Sequence, residues 1–482
     1  MRIGRALRLG VILLAFLASG CLGPAPTAVP SPTPLPPTPR PALPLPILPV
    51  PATAEPTSVS NGALYATLAV PHFRIRYLAA DSADVAALPA VITALEKSYG
   101  NLAGLFGDAP DYPIPIQFEH DPGVAHVETA GIVLYRRDES PLYVGQVTHA
   151  LTHVFTGYTG YPFFEEGLAV YATMLYDGPA PWPLNGVPAG RQVAGFLDGK
   201  TYTPLADAFK YTGLGKAEYS TLSSGADTGP IYLEAGAFAQ FMIARYGLDA
   251  YRALSLQPNP AAGVPVPGQV PDLKTLDAAF QSWLRTPAAA AVPPVPALRL
   301  PAPTPVAPGP PPDAAALLTA AVQKWGQARG VRFTISKLGH GEWLAPDYLH
   351  LFVERAEDKG EVVVLGDVAY SRQGSEWTRL PPARTPESGL AATWVAIGDA
   401  ARPASAVRPE TLDGRAVWRA SYFLADTPDV GRYKVGGNSF ITVWFGMDDK
   451  RVYRLVGPGY DERFLDWDAP IEKLQPAPDG AR

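Results

Sequence analysis

At 482 residues and 51.2 kDa the chain has room for about two to four domains. Its 47% hydrophobic and 17% charged residues exclude a wholly disordered chain, a coiled coil and a many-pass membrane protein, and a formal net charge of -6 gives no basic surface for nucleic acid. A single cysteine excludes a disulfide framework and any cysteine-built metal site.

That cysteine sits at the N-terminus. Arg2, Arg5 and Arg8 precede the apolar run Leu9 to Leu17, which is short for a bilayer span, and Ala18-Ser19-Gly20-Cys21 comes directly after it. These residues resemble the bacterial lipoprotein signal, with Ala18 where a leucine is usual and Leu17 one place earlier. The resemblance implies removal of residues 1–20, lipidation of Cys21 and an extracytoplasmic chain anchored to the bacterial cell membrane. An ordinary secretory signal or a signal anchor is the other reading of the same residues.

Proline divides the rest of the chain. Residues 22–57 hold 14 prolines and residues 287–312 hold 11, out of 55 in the chain. Such stretches favour extended polyproline II and act as semi-rigid spacers. The division is therefore a signal over 1–20, an anchor and spacer over 21–57, one domain over 58–286, a linker over 287–312 and a second domain over 313–482.

Within 58–286, Phe73 to Tyr77 alternates as a half-buried strand, and 86–105 carries apolar residues at helical spacing. Ile114 to Phe118 and Gly131 to Tyr135 read as further strands, the second at a sheet edge. Val147 to Phe155 then places His149 and His153 four apart on one helix face, a spacing that brings two imidazoles to one metal ion. A second helix, Phe163 to Tyr171, carries Glu165-Glu166-Gly167-Leu168-Ala169.

Together these segments resemble the gluzincin metallopeptidases, in particular the peptidase MA-like group, over about residues 58–286. In that family an H-E-x-x-H helix is followed by a W-x-x-E-G-L-A-x-Y helix. The resemblance implies His149, His153 and Glu166 as zinc ligands and extends to Tyr99-Gly100 and to Ala235 through Gly247. The departure is Ala150, which stands where the family has the glutamate that takes the proton of the attacking water. A zinc site with an open position still acidifies water, but losing a general base costs on the order of 10²–10⁴ in rate. Glu165 and Glu234 are the substitute carboxylates within this region. On the residues alone, His149 and His153 are either ligands of a retained zinc or rings facing a pocket without metal. His72, His120 and His126 also fall in this domain, and His120, at a strand-to-turn exit with Asp121 and Pro122, reads as a surface or capping residue; Tyr232 reads as packing, and in an active relative as an oxyanion donor.

From 313 the chain starts as a helix, Ala314 to Val322 with Trp325 on a compatible face. Strand patterns come next at 331–338, 347–355, 361–370, 376–380, 415–424 and 439–456, with turns at 372–375 and 447–450. One helix followed by short strands argues a curved antiparallel sheet around that helix. Seven of the nine tryptophans lie here: Trp325, Trp343, Trp377, Trp394, Trp418, Trp444 and Trp467. The order of Gly341 to Asp347, Ala369 to Trp377 and Val443 to Arg454 is similar to the LolA-like and LppX-like lipoprotein carriers, over about 313–475. That resemblance implies an apolar cavity for acyl chains; core filling is the equal reading of the same tryptophans. His340 and His350 read as surface residues.

The whole is an α+β chain: a gluzincin-like domain, then an antiparallel β half-barrel with a helix. The expected function is that of an exported lipoprotein that binds zinc and a peptide or protein partner without efficient cleavage, and holds a lipid or other ligand in its second domain. Two rivals stand beside it: a zinc hydrolase with a substitute base, and a metal-free interaction protein.

Overall fold

In the computed structural model of the chain, the residues described are 56–60, 63–119, 126–128, 131–135, 147–156, 162–181, 183–209, 228–256, 271–297, 309–335, 339–354, 359–366, 368–380, 390–424, 439–457, 460–474 and 476. The expected signal 1–20, Cys21, nearly all of the spacer 21–57, His120, and residues 298–308 of the second proline stretch lie outside them.

Six strands form the N-terminal sheet: β1 (Pro56–Ser60), β2 (Ala63–Ala69), β3 (Phe73–Leu78), β4 (Ile114–Glu119), β5 (His126–Glu128) and β6 (Gly131–Tyr135). Their spatial order is β1-β2-β3-β4-β6-β5, with β4 parallel to both β3 and β6. Parallel pairing needs a long crossover, and α1 (Ser82–Phe106) supplies the first. Its start is fixed by Asp81, whose side chain accepts from the Ala83 and Asp84 amides; its end is Gly107, at φ 71°. The edge expectation for β6 is corrected: β5 folds back antiparallel onto it, so the short strand carrying His126 takes the edge.

The helices after the sheet are α2 (Val147–Thr156), α3 (Pro162–Tyr176), α4 (Ala189–Asp198), α5 (Leu205–Ala208), α6 (Thr228–Tyr246), α7 (Leu248–Ser255) and α8 (Leu273–Leu284). One hydrophobic core runs from the sheet through these helices and includes Ile75, Leu95, Phe118, Leu151, Phe164, Phe238 and Phe280. Helices α3 and α6 meet at their backbones. A Cβ on Gly167 would stand 2.6 Å from the Ala235 carbonyl oxygen and 2.9 Å from the Tyr251 hydroxyl, and one on Gly236 would stand 2.9 Å from Val170 Cβ. The glycine after Glu166 is there because no side chain fits between the helices.

A second, separate core lies in the C-terminal part. It is built from α9 (Ala314–Gln327), whose N-cap Asp313 accepts from the Ala316 amide, and α10 (Leu390–Ala400), both associated with one large sheet. The strands are β7 (Gly330–Ile335), β8 (Gly339–Leu344), β9 (Tyr348–Val353), β10 (Gly360–Leu365), β11 (Val368–Gln373), β12 (Glu376–Arg379), β13 (Ala401–Pro403), β14 (Arg408–Leu412), β15 (Arg415–Leu424), β16 (Ser439–Gly446), β17 (Val452–Gly457) and β18 (Tyr460–Trp467). The order is β12-β11-β10-β9-β8-β7-β18-β17-β16-β15-β13, with β14 also paired to β15, and β12 and β13 stand at opposite ends. Every pairing among these strands is antiparallel. The sheet is thus open, in the manner of a half-barrel.

Three expectations are corrected by these strands and helices. The segment 361–370 is two strands, because Gly366 at φ 62° turns the chain between β10 and β11. Strands β8, β13, β14 and β18 fall outside the expected segments. The half-barrel also holds two helices rather than one, α10 adding Trp394 and Ile397, three apart and fully buried.

Gly167→Ala tests the helix contact. Alanine is the better helix former by about 1 kcal/mol, yet here the backbones must move apart. Thermal denaturation of the full chain is expected to show a loss of about 1–3 kcal/mol.

Candidate metal centre

Side chains four apart on a helix lie one above the other, and α2 therefore presents His149 and His153 on one face. Helix α3, held against α6 at Gly167, carries Glu166 to the same point. His149 Nε2 lies 3.0 Å from Glu166 Oε2, His153 Nε2 lies 3.4 Å from the same oxygen, and the two Nε2 atoms are 3.3 Å apart. Three donors each 2.0–2.1 Å from a tetrahedral zinc stand about 3.3–3.4 Å apart, so this triangle fits the ion's donor set and its size. It is the one cluster of three such groups among the described residues with metal-ligand spacing.

The electrostatics follow from burial. Burial by itself would raise the Glu166 carboxyl, but the His153 charge and hydrogen bonds from both imidazoles hold it far below the usual carboxylate range. Burial pushes the His149 ring down against the pull of Glu166. For His153 the Glu166 charge outweighs burial and the pKa rises. The site is thus an ionised carboxylate with two imidazoles turned on it, one of which stays neutral most readily; neutral imidazole and carboxylate are the forms that bind zinc.

Around the triangle, Tyr232 of α6 lies with its ring 6.4 Å from the His149 ring at 23°. Behind α2, Thr148 shares a buried 2.8 Å hydrogen bond with Ser98 of α1 and a second bond with Asp177. The Ser98–Thr148 pair ties α2 to α1, and nothing in the local sequence marked it. Ala150 is 2% exposed and belongs to the N-terminal core. No ionisable group stands at that position.

Of the substitute carboxylates, Glu165 is buried beside the site: its charge raises the pKa of His153 and, after burial, that of the Tyr251 phenol. Glu234 stands elsewhere. It lies two residues after Tyr232, about 200° around the helix, and its carboxylate accepts from the Thr203 amide at 2.9 Å. His72, its side chain 41% exposed, bonds Glu96 at 2.6 Å and stacks on Tyr99. His340, half exposed, pairs with Glu354 at 3.1 Å. His350 corrects the surface expectation: it is 7% exposed, packed on Phe352, with Nε2 3.2 Å from Glu361.

In the half-barrel, Trp325, Trp343 and Trp394 are the largest fully buried side chains. The Trp325 ring stacks on Trp394 at 5.5 Å and meets Trp343 edge-on at 5.8 Å. None of the three indole N–H groups has a hydrogen-bond partner. Burying such a donor unpaired costs about 1–3 kcal/mol, and three of them meet inside one apolar cluster.

No family model matches the chain, and no curated protein matches it. Among solved structures it is similar to the lipoprotein LprF from Mycobacterium bovis, at 17% identity, a TM-score of 0.26, and 36% of this chain against 100% of that one. It is similar to the lipoprotein LppX from Mycobacterium tuberculosis, at 13% identity and a TM-score of 0.26, covering 33% of this chain and 99% of that one. A LolA superfamily protein from Nitrosomonas europaea is similar at 13% identity and a TM-score of 0.18, over 35% of this chain and 96% of that one. TM-scores at this level carry no weight for function, and the half-barrel description rests on the chain's own strand pairing. No helix among the described residues is long and apolar enough to cross a membrane.

Glu234 generates a pH prediction. Burial pushes its carboxyl up to about 7 from 4.5. The folded state therefore binds a proton that the unfolded chain releases, and the resulting stabilisation is complete below about pH 4.5 and lost as pH rises through about 7. The change is on the order of 3 kcal/mol. Denaturation midpoints of Glu234→Gln are expected to fall less between those pH values than those of the parent chain.

Proposed function

We propose that the chain is an exported, lipid-anchored protein whose N-terminal domain, about 58–286, is a gluzincin-type zinc-binding cleft that engages a peptide or protein partner with little or no cleavage. The observation that carries this reading is the His149–His153–Glu166 triangle, with edges of 3.0, 3.3 and 3.4 Å. Zinc bound there supplies Lewis acidity toward a carbonyl oxygen and lowers the pKa of water to about 7. The chain's own residues provide less. His149, His153 and Glu166 bind and orient; Ala150 accepts no proton, so no group at the family's general-base position moves one to a leaving amine. Tyr232, its ring beside that of His149, carries a hydroxyl suited to donate to a carbonyl oxygen.

A slow hydrolase is the second reading, and the burial of Glu165 beside His153 favours it. In the C-terminal domain, about 313–482, the unpaired indole donors of Trp325, Trp343 and Trp394 support binding of an amphiphile whose carbonyl or ester oxygens accept from them. The anchor on Cys21 and the extracytoplasmic location remain part of this reading.

Elemental analysis of the full chain is expected to find close to one zinc per molecule, lost in His149→Ala. Ala150→Glu is expected to gain peptide hydrolysis by on the order of 10²-fold or more. Parent activity that disappears in Glu165→Gln would instead establish the slow hydrolase, and absence of zinc after metal loading would leave an interaction protein. For the half-barrel, titration with a fatty acyl ester is expected to change tryptophan fluorescence, and no change at saturation would make the indoles ordinary core.

A further inference from the structure

Outward-facing residues on an antiparallel sheet are normally solvated. On β15 the alternation is clear: Trp418, Ala420, Tyr422 and Leu424 enter the C-terminal core, while Arg419 and Ser421 face the other way. Yet Arg419 is 4% exposed and Ser421 is 0% exposed. What covers them is the turn between α1 and β4 in the N-terminal part of the chain. Arg419 Nη1 donates to Asp108 Oδ1 at 2.7 Å, its Nη2 donates to the Ala109 carbonyl at 3.4 Å, and its Nε lies 3.5 Å from Asp111 Oδ2. Arg408 of β14 adds ion pairs to the same aspartates at 3.3 and 3.6 Å. Ser421 donates to Asp111 and also bonds Thr442. Next to this polar cluster, Tyr112 stacks on Phe440 with ring centroids 4.2 Å apart at 5°. On the sheet side, Trp444 is sandwiched between Arg419 and Arg454, which holds Asp461.

The same turn is tied back to the metal-facing helix. Tyr99 of α1 donates its hydroxyl to the Pro110 carbonyl at 2.7 Å, and its ring packs edge-on to Phe155, two residues after His153, at 5.3 Å. One residue earlier, Ser98 bonds Thr148, the neighbour of His149.

We propose that the outer face of β14–β16 is a docking surface for the acidic turn 108–112, that this contact holds the two halves of the chain as one body despite the proline linker between them, and that it steadies α2 and so the metal-binding affinity. The last element rests on the zinc reading of His149, His153 and Glu166. Arg408 and Arg419 meet Asp108 and Asp111 of the turn, while Glu410 of β14 pairs with Arg419 from the sheet side, so the two guanidinium groups fit this surface to an acidic loop. Of these pairs Arg419–Asp111 is the desolvated one, with side chains 5% and 11% exposed, and a pair of that kind is strongly weakened by removal of one member.

The experiment compares the full chain with Asp108→Lys, at a side chain 57% exposed and so tolerant of replacement in the fold, and with Arg419→Met. Arg463→Ala, whose partner Asp413 lies away from the contact, is the control. Small-angle scattering and zinc titration are read on each. The expected result is a larger maximum dimension and a zinc dissociation constant raised roughly three- to tenfold in both variants, with the control unchanged, a coupling of ordinary size. Unchanged dimensions in Asp108→Lys would overturn the docking surface. Expanded dimensions with unchanged zinc affinity would overturn the link to α2. If the parent binds no zinc, the metal reading and its link to the turn fall together, while scattering still decides the docking surface.

Discussion

The backbone contact between α3 and α6 is the constraint on which the N-terminal site depends. Helices with ordinary side chains at their crossing stand about 8–10 Å apart; at Gly167 and Gly236 there is no room even for a Cβ. The close approach places Glu166, one residue before Gly167, against the histidine face of α2 and brings Tyr232 alongside the His149 ring. Tyr251 completes the support by donating its hydroxyl to the Phe164 carbonyl at 2.7 Å. The carboxylate that makes the site a three-donor site is thus positioned by the packing of its immediate neighbours.

Two glutamates of this part, Glu166 with its side chain 15% exposed and Glu234 at 2%, show how surroundings set charge. Glu166 is ionised because two imidazoles face it, whereas Glu234, with a backbone amide as its partner, has its carboxyl raised to about 7. Burial raises both carboxyls; only Glu166 has the His153 charge and imidazole hydrogen bonds to offset it. The result is an ionised carboxylate facing two imidazole nitrogens, a donor set of the kind that suits a cation. Ala150, one residue after His149, is buried among apolar side chains and offers no proton acceptor.

Strand β15 carries two duties at once. Its inner residues belong to the half-barrel core under the stacked tryptophans, and its outer residues meet the acidic turn after α1.

The sequence by itself determined the local geometry. His149 and His153 four apart on an apolar-periodic segment dictate a shared helix face, residues 163–171 dictate a second helix with a carboxylate on its first turn, and the strand pattern over 415–424 dictates β15. Those patterns are short-range, governed by helix and strand periods. Tertiary structure decided the rest. The distances between α2 and α3, the separation of Glu234 from the metal triangle, the burial of His350 and the edge position of β5 depend on which faces pack together, and no local period encodes that. The pairing of Arg419 with Asp108 is the extreme case. It joins residues 311 positions apart through long-range charge and shape complementarity, and in the sequence each reads only as an ordinary surface charge.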